Sequence, residues 1–240
     1  MNKKQLVFLS GLSGSGKGYF FDNMMPREVF YKLRSMTTRP ARKGEIPGRE
    51  YFFVTEDEFY ITPRVTTLWV NETLCRKRDE KLSELRRKYG RFVYWIITRF
   101  YKPVPKWLYG VPVSEFKTHP NAHLVYDVIE PKYIRQMIDW TNANGNQYSP
   151  VILHFQPPAG NFDIAKRRAN MQKDVYVRRV NTCNLVNFWR HNLRPDFSLM
   201  QSPDEYFIPD DLINYMNTVA KNSKSKSRFR MPSDVEWNQF

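Results

Sequence analysis

Short apolar runs that alternate with helix-forming stretches place this chain in the α/β class, with a largely parallel sheet interleaved with helices. Two observations carry that expectation. Lys4–Ser10 is a compact apolar run closed by Gly11, the pattern of a strand buried on both faces. Similar runs then recur at Val29–Leu33, Val65–Val70, Phe92–Thr98, Ala122–Val128, Val151–Phe155 and Phe197–Met200.

Each intervening stretch has its own reason to be helical. Lys17–Met25 follows a glycine loop and stops before Pro26, whose ring disfavours helical geometry in the residue preceding it. Arg78–Tyr89 carries Asp79 and Glu80 early and Arg86, Arg87 and Lys88 late, in agreement with the helix dipole. Arg91–Tyr101 is rich in aromatic and β-branched residues and is expected to be a strand. Pro131–Asn142, Phe162–Met171, Asp174–Asn192 and Asp210–Ala220 complete the helix candidates. Pro131 and Pro209 sit at helix starts, where a missing N–H costs nothing.

The 240 residues fit one large domain or a domain with inserts, and 41% hydrophobic content is ample for a core. No run of about 18 apolar residues exists, which excludes a membrane-spanning helix, and no membrane partner is expected. The apolar stretch at the start is too short for a secretory signal. Cys75 and Cys183 show no metal-like spacing, so a reduced, cytoplasmic chain is expected.

The net charge of +14 is concentrated. Arg76–Lys106 holds 11 Lys/Arg against 3 acids, and Lys221–Arg230 adds 5 cations with no acid. The other 199 residues carry a net charge of only +1. Two local segments therefore make the chain basic.

Gly11-Leu-Ser-Gly-Ser-Gly-Lys-Gly18 has the spacing of a phosphate loop, after an expected strand and before an expected helix. Glycines let backbone N–H groups converge on phosphate oxygens, and Lys17 reaches the terminal phosphates. Gly11, Ser13, Gly14, Ser15, Gly16, Lys17 and Gly18 are the expected ATP-binding residues. The residue after the lysine is ordinarily a Ser or Thr that ligates Mg²⁺. Here it is Gly18, so the metal falls to Asp127, Ser15 or water.

Residues 34–59 then carry Ser35, Thr37, Thr38, Arg39, Arg42, Gly44, Glu45, Gly48, Tyr51, Phe53 and Val54. Two arginines three apart in a glycine-punctuated loop can converge on one phosphate as planar forks. This block resembles the guanylate kinase signature. The resemblance implies a phosphate-loop NTPase fold of three α/β/α layers, a small mixed acceptor-binding subdomain and a helical lid. It implies a core of 1–34 with 118–220, a lid at about 157–180 and an acceptor subdomain at 35–117, while Ser223, Ser225 and Ser227 between basic residues make 221–240 read as a basic flexible tail.

By the same resemblance Ser35, Arg39, Arg42 and Tyr51 would hold the acceptor's phosphate. Trp69-Val-Asn-Glu72 resembles the strand whose glutamate reads guanine, and Tyr109-Gly-Val resembles Tyr-Gly-Thr/Ser, with Val111 replacing the hydroxyl residue. Leu124-Val-Tyr-Asp127 resembles the strand ending in an acid, with Ile129 in place of a second acid; Asp127 is an acceptor-site and weak metal candidate. Lys166–Arg179 resembles the lid and the helix after it, which gives Lys17, Arg39, Arg168 and Arg179 the catalytic role, with Arg178 as a register alternative to Arg179.

Three functions stay open. The first is transfer of ATP's terminal phosphate to a guanine-type (deoxy)nucleoside monophosphate with Mg²⁺. The second is the same transfer to a nucleotide within DNA or RNA, motivated by Arg76–Lys106 and Lys221–Arg230 as nucleic-acid contacts. The third is a catalytically weak binding module, motivated by Gly18, Val111 and Ile129. Ordinary members of the family place the glutamate and the Tyr-Gly pair about nine residues apart. Here 37 positions separate Glu72 from Tyr109, and the basic segment is the insertion. The plainer and favoured reading of the insertion is that its charges are a solvated face and its aromatics pack the insert.

Overall fold

A computed structural model describes residues 3–12, 15–42, 44–70, 72–100, 106–145, 147–156, 185–201 and 206–223. The chain separates into two units, 1–33 with 114–240, and 34–113.

The larger unit is built on a six-stranded sheet. Its strands are β1 (Lys4–Gly11), β2 (Phe30–Lys32), β7 (His123–Val128), β8 (Tyr148–Gln156), β9 (Phe197–Gln201) and β10 (Tyr206–Phe207), in the order β10-β9-β8-β1-β7-β2. All pairings are parallel except β10 with β9. The first strand is therefore interior, held between β7 and β8. Leu6, Val7, Phe8 and Leu9 are completely buried, as a strand covered on both faces requires.

Helix α1 (Lys17–Asn23) and the C-terminal helix α7 (Asp210–Asn222) join Val7 and Leu9 in one core cluster through Phe20, Met24, Leu212 and Met216. Phe20 meets Phe155 edge-on at 5.3 Å between ring centroids. Cutting Phe20 to Ala would cost about 3–5 kcal/mol, since its ring is fully enclosed. Helix α4 (Val113–Thr118) begins at the unit boundary. Helix α5 (Pro131–Ala143) starts on its proline and buries Tyr133, Ile134, Met137 and Ile138 at helical spacing. The short α6 (Leu185–Arg190) buries Phe188. This is a three-layer α/β architecture with a mostly parallel sheet.

The smaller unit carries a four-stranded mixed sheet in the order β4-β3-β6-β5, from β3 (Ser35–Thr37), β4 (Tyr51–Phe53), β5 (Leu68–Val70) and β6 (Trp107–Gly110). Met36, Phe59 and Leu108 form its core, with Phe52 and Val54 packed against them. Helix α2 (Glu56–Ile61) is started by a capping box: Thr55 accepts from the Glu58 N–H, and Glu58 accepts from the Thr55 N–H. Gly110 is required by close approach, because a Cβ there would meet the Thr66 carbonyl oxygen at 2.5 Å.

One expectation is overturned. Phe92–Thr98 is not a strand but part of helix α3 (Glu72–Phe100), which is broken only at Gly90. Gly90 has φ 77° and ψ 177°, a conformation that glycine adopts without steric cost. β-Branched and aromatic composition misled because strand preference reflects packing on a pleated surface, and this segment has no partner strand among the described residues. The candidate helix Phe162–Met171, the lid at 157–180 and most of Asp174–Asn192 lie outside the described residues. So does the tail from 224 onward, although α7 runs on through Lys221 to Asn222.

Candidate active site

The phosphate loop leaves the interior strand of the parallel sheet, at the carboxyl edge where open α/β sheets place their ligands. Gly11 closes β1 with φ 152°, and a Cβ there would meet the Phe155 carbonyl oxygen at 2.6 Å. Gly16 sits at the start of α1 in the left-handed region, φ 82°. Both positions need glycine for reasons the spacing alone anticipates. Ser13 and Gly14 lie outside the described residues.

Lys17 is 5% exposed, and its ammonium donates to the carbonyls of Gly11 (2.9 Å) and Leu12 (2.6 Å). Asp127 Oδ1 is 3.7 Å away, on a side chain that is partly exposed. Asp127 reaches this position because β7 pairs with β1, with Leu9 and Asp127 as register partners. The ammonium is thus folded back over its own loop, held by two neutral carbonyls.

Magnesium is ordinarily held by one or two carboxylates together with substrate phosphates and water. Asp127, a lone carboxylate beside Lys17, suits that role, and the buried Ser15 belongs to the same loop. Gly18 offers no oxygen side chain, and a Cβ on it would meet nothing within 4 Å. Among the described residues no group of three His, Cys, Asp or Glu could hold a metal on its own.

Two polar groups at the root of the loop escaped the sequence reading. Ser10 and His154 are register partners on β1 and β8, and both are buried. Neither the Ser10 hydroxyl nor His154 Nδ1 has a hydrogen-bond partner among the described residues. Burial, reinforced by the charge of Lys17, pushes the His154 pKa down to about 4, so the ring is neutral at pH 7. The only sequence signal was a histidine inside an otherwise apolar run.

In the smaller unit the expected clamp residues gather on β3 and its neighbours. Ser35 pairs in register with Tyr51, and Thr37 pairs with Tyr109. Arg39 is 4% exposed and bonded through each of its three guanidinium nitrogens. Its Nε donates to the Tyr109 hydroxyl (3.0 Å), one terminal nitrogen to the Pro40 carbonyl (2.7 Å), and the other to Glu45 Oε1 (2.8 Å). The guanidinium also lies 5.5 Å from the Tyr51 ring centroid and 5.7 Å from that of Phe53. The Arg42 side chain is exposed, while its N–H donates to the second Glu45 oxygen (2.7 Å).

Glu45, which the sequence reading placed in the motif without a task, is the anion that holds Arg39. Chiefly through the hydrogen bond from Arg39, its carboxyl is held below the usual carboxylate range. Two threonines lock the strand behind this cluster. Thr37 donates to the Leu108 carbonyl (2.9 Å), and Thr38 accepts from the Leu108 N–H (3.0 Å). Val111 is buried, and its N–H donates to the Thr66 hydroxyl, a second oxygen that sequence reasoning missed. Glu72 opens α3, and its side chain lies outside the described residues, as do Arg168 and Arg179.

Residues 3–68 match the family model described as guanylate kinase. This segment is guanylate-kinase-like. A guanylate kinase of Clostridium tetani is 41% identical over 59 residues, 25% of this chain and 28% of its own length. That of Caldanaerobacter subterraneus subsp. tengcongensis is 47% identical over 60 residues, covering 24% and 29%. The chain thus spans under a third of the length of these curated relatives. A solved guanylate kinase structure from Anaplasma phagocytophilum aligns over 98% of this chain and 97% of its own at 16% identity, with a TM-score of 0.48. The fold assignment rests on strand order rather than on that likeness. The guanylate-kinase-like segment includes the phosphate loop, Ser35, Arg39, Arg42 and Tyr51, and ends before Glu72, Tyr109 and Asp127.

No helix among the described residues is long and apolar enough to cross a membrane.

Proposed function

We propose that the protein is a nucleotide kinase that moves the terminal phosphate of ATP to a (deoxy)nucleoside monophosphate, of guanine type. The observation that carries this reading is a pair of buried cations, Lys17 and Arg39, each in a phosphate-directed motif of the segment that matches guanylate kinase.

The donor's phosphates lie along Gly11–Gly18. Lys17 exchanges its two carbonyl partners for terminal phosphate oxygens. The acceptor's phosphate is taken by Ser35, Arg39, Arg42 and Tyr51, with Arg39 trading part of its bond to Glu45 for the incoming oxygens. An acceptor phosphate oxygen then forms a bond to the terminal phosphorus of ATP. The bridging P–O bond breaks, and its electron pair leaves on ADP. Catalysis is alignment plus charge neutralisation, with no covalent enzyme intermediate. Asp127 would help hold Mg²⁺, which would supply neutralising charge at the phosphates. Arg168 and Arg179 would supply further positive charge from the lid, and Glu72 would accept from the guanine edge.

The deciding measurement is ADP release from ATP and Mg²⁺ with each of GMP, dGMP, AMP, dCMP and dTMP. Turnover with GMP or dGMP well above the others is expected. Equal rates across all five would remove the guanine assignment. ATP binding without turnover on any acceptor would leave a binding module instead.

A further inference from the structure

We infer that the second half of α3, Arg91–Phe100, is a binding face for single-stranded nucleic acid that stacks unpaired bases on Phe92 and Trp95. The inference concerns binding alone. It extends the kinase reading but does not depend on it.

Among the described residues, the insertion leaves three aromatic rings, Tyr89, Phe92 and Trp95, exposed. Phe92 is 72% exposed and Trp95 is 52% exposed, and Tyr89 and Ile96 are exposed as well. Residues three and four apart share a helix face, so Phe92, Trp95, Ile96 and Arg99 form one stripe beyond the Gly90 break. The rings of Phe92 and Trp95 lie within 22° of parallel, with centroids 6.5 Å apart. Two near-parallel, solvated rings make a platform for flat π-systems.

The cations belong to the same surface. The Arg99 guanidinium lies 4.2 Å from the Trp95 ring centroid. Lys88 stands 5.1 Å from the Tyr89 ring, and Arg86 reaches across the Gly90 break to within 5.7 Å of the Tyr94 ring. Arg87 and Arg91 are exposed around them. A polynucleotide offers both partners at once, with phosphates for the cations and base faces for the rings.

This interleaving is what separates a strand of nucleic acid from an anionic lipid surface. A helix that lies on a membrane keeps its apolar and charged faces apart. Here Arg99 sits within the aromatic stripe, not opposite it. Duplex is disfavoured as well, because its bases are already stacked on one another and leave no face for Phe92 or Trp95.

The test is fluorescence anisotropy of a 5′-labelled dT20 strand with the full-length protein, from low to physiological salt. A labelled 20-base-pair duplex, phosphatidylserine vesicles and the F92A/W95A and R91Q/R99Q variants run in parallel. Circular dichroism melting checks that each variant is folded. These side chains are exposed, so unchanged melting is expected. The wild type should bind dT20 more tightly than duplex, with the logarithm of affinity falling by about 0.7 per contacted phosphate for each log unit of salt. F92A/W95A should weaken binding by about tenfold or more with an unchanged salt slope, and R91Q/R99Q should flatten the slope. No binding of dT20 at low salt overturns the inference. So does dT20 binding that F92A/W95A leaves unchanged, and so does tighter binding to duplex or vesicles than to dT20. Wild-type protein that binds dT20 but turns over no nucleoside monophosphate with ATP would instead count against the proposed reaction.

Discussion

Two buried cations, one in each unit, are held in opposite ways. Lys17 leans on two neutral carbonyls, with a carboxylate 3.7 Å off. Arg39 is committed to Glu45 at 2.8 Å and to Tyr109 at 3.0 Å. A phosphate arriving at Lys17 displaces dipoles, whereas one arriving at Arg39 must compete with a full negative charge. On the proposed reading, the donor side is set to bind tightly and the acceptor side to discriminate. A charged competitor in place raises the threshold for weak ligands.

The largest effect expected to sharpen this contrast is Lys17→Ala, which should lower kcat by about 10²–10³-fold, the usual loss for one transition-state donor. Steady-state kinetics with saturating acceptor reads it. A loss confined to the acceptor's KM would break the assignment of Lys17 to the donor.

Acid separates the two sides next. The folded pKa of His154, about 4, is below its unfolded value near 6.5. The unfolded chain therefore takes up a proton first as pH falls. Stability is complete above pH 6.5 and declines toward pH 4, by roughly 3 kcal/mol in all. Glu45 is depressed too, but from a carboxylate's range, so its contribution is present above that range and disappears only at lower pH. Urea midpoints from pH 7 to 4.5 should fall in the wild type and hold nearly level in His154→Leu. An equal slope in both would show that His154 is not the group responsible.

Arg39→Ala is expected to raise the acceptor's KM by about 10–100-fold, the worth of a charged hydrogen bond to phosphate, with far less change for ATP. Equal losses at both sites would erase the distinction drawn here. The smallest effect belongs to Gly18→Ser. Nothing stands within 4 Å of the added Cβ, and the exchange gains about 0.5 kcal/mol of helix propensity. A melting temperature about 1–2 °C higher, and activity that saturates at lower Mg²⁺, should follow. A drop in melting temperature would show that the loop needs glycine there.

How far the sequence spoke depended on the kind of interaction. The phosphate loop and β1 were legible because both are local: glycines for backbone approach and an unbroken apolar run for an interior strand. Ser35, Arg39 and Tyr51 were legible through a long spacing pattern. The strands β3, β4 and β6, three or four residues each, are too short for alternation to register. Glu45 was visible as a motif letter, but its partner Arg39 is set by how the loop closes. Ser10 and His154 meet only because β1 and β8 align, a pairing across 144 positions that no local rule reports. The error at Phe92–Thr98 was of another kind. Apolar, branched and aromatic composition was taken for burial in a sheet, where the structure spends it on an exposed helix face.

The placement of β1 bears on how the protein is made. Its two neighbours, β7 and β8, come from residues 123–156, far beyond the segment that matches guanylate kinase. Gly11 rests against Phe155, so the loop's root takes shape only after that residue is available. During synthesis, a nascent chain carrying the whole nucleotide motif would still lack the strands that flank it. On the proposed reading, affinity for ATP would be acquired late, once the ribosome has released residues up to about Gln156, and not when the motif itself emerges.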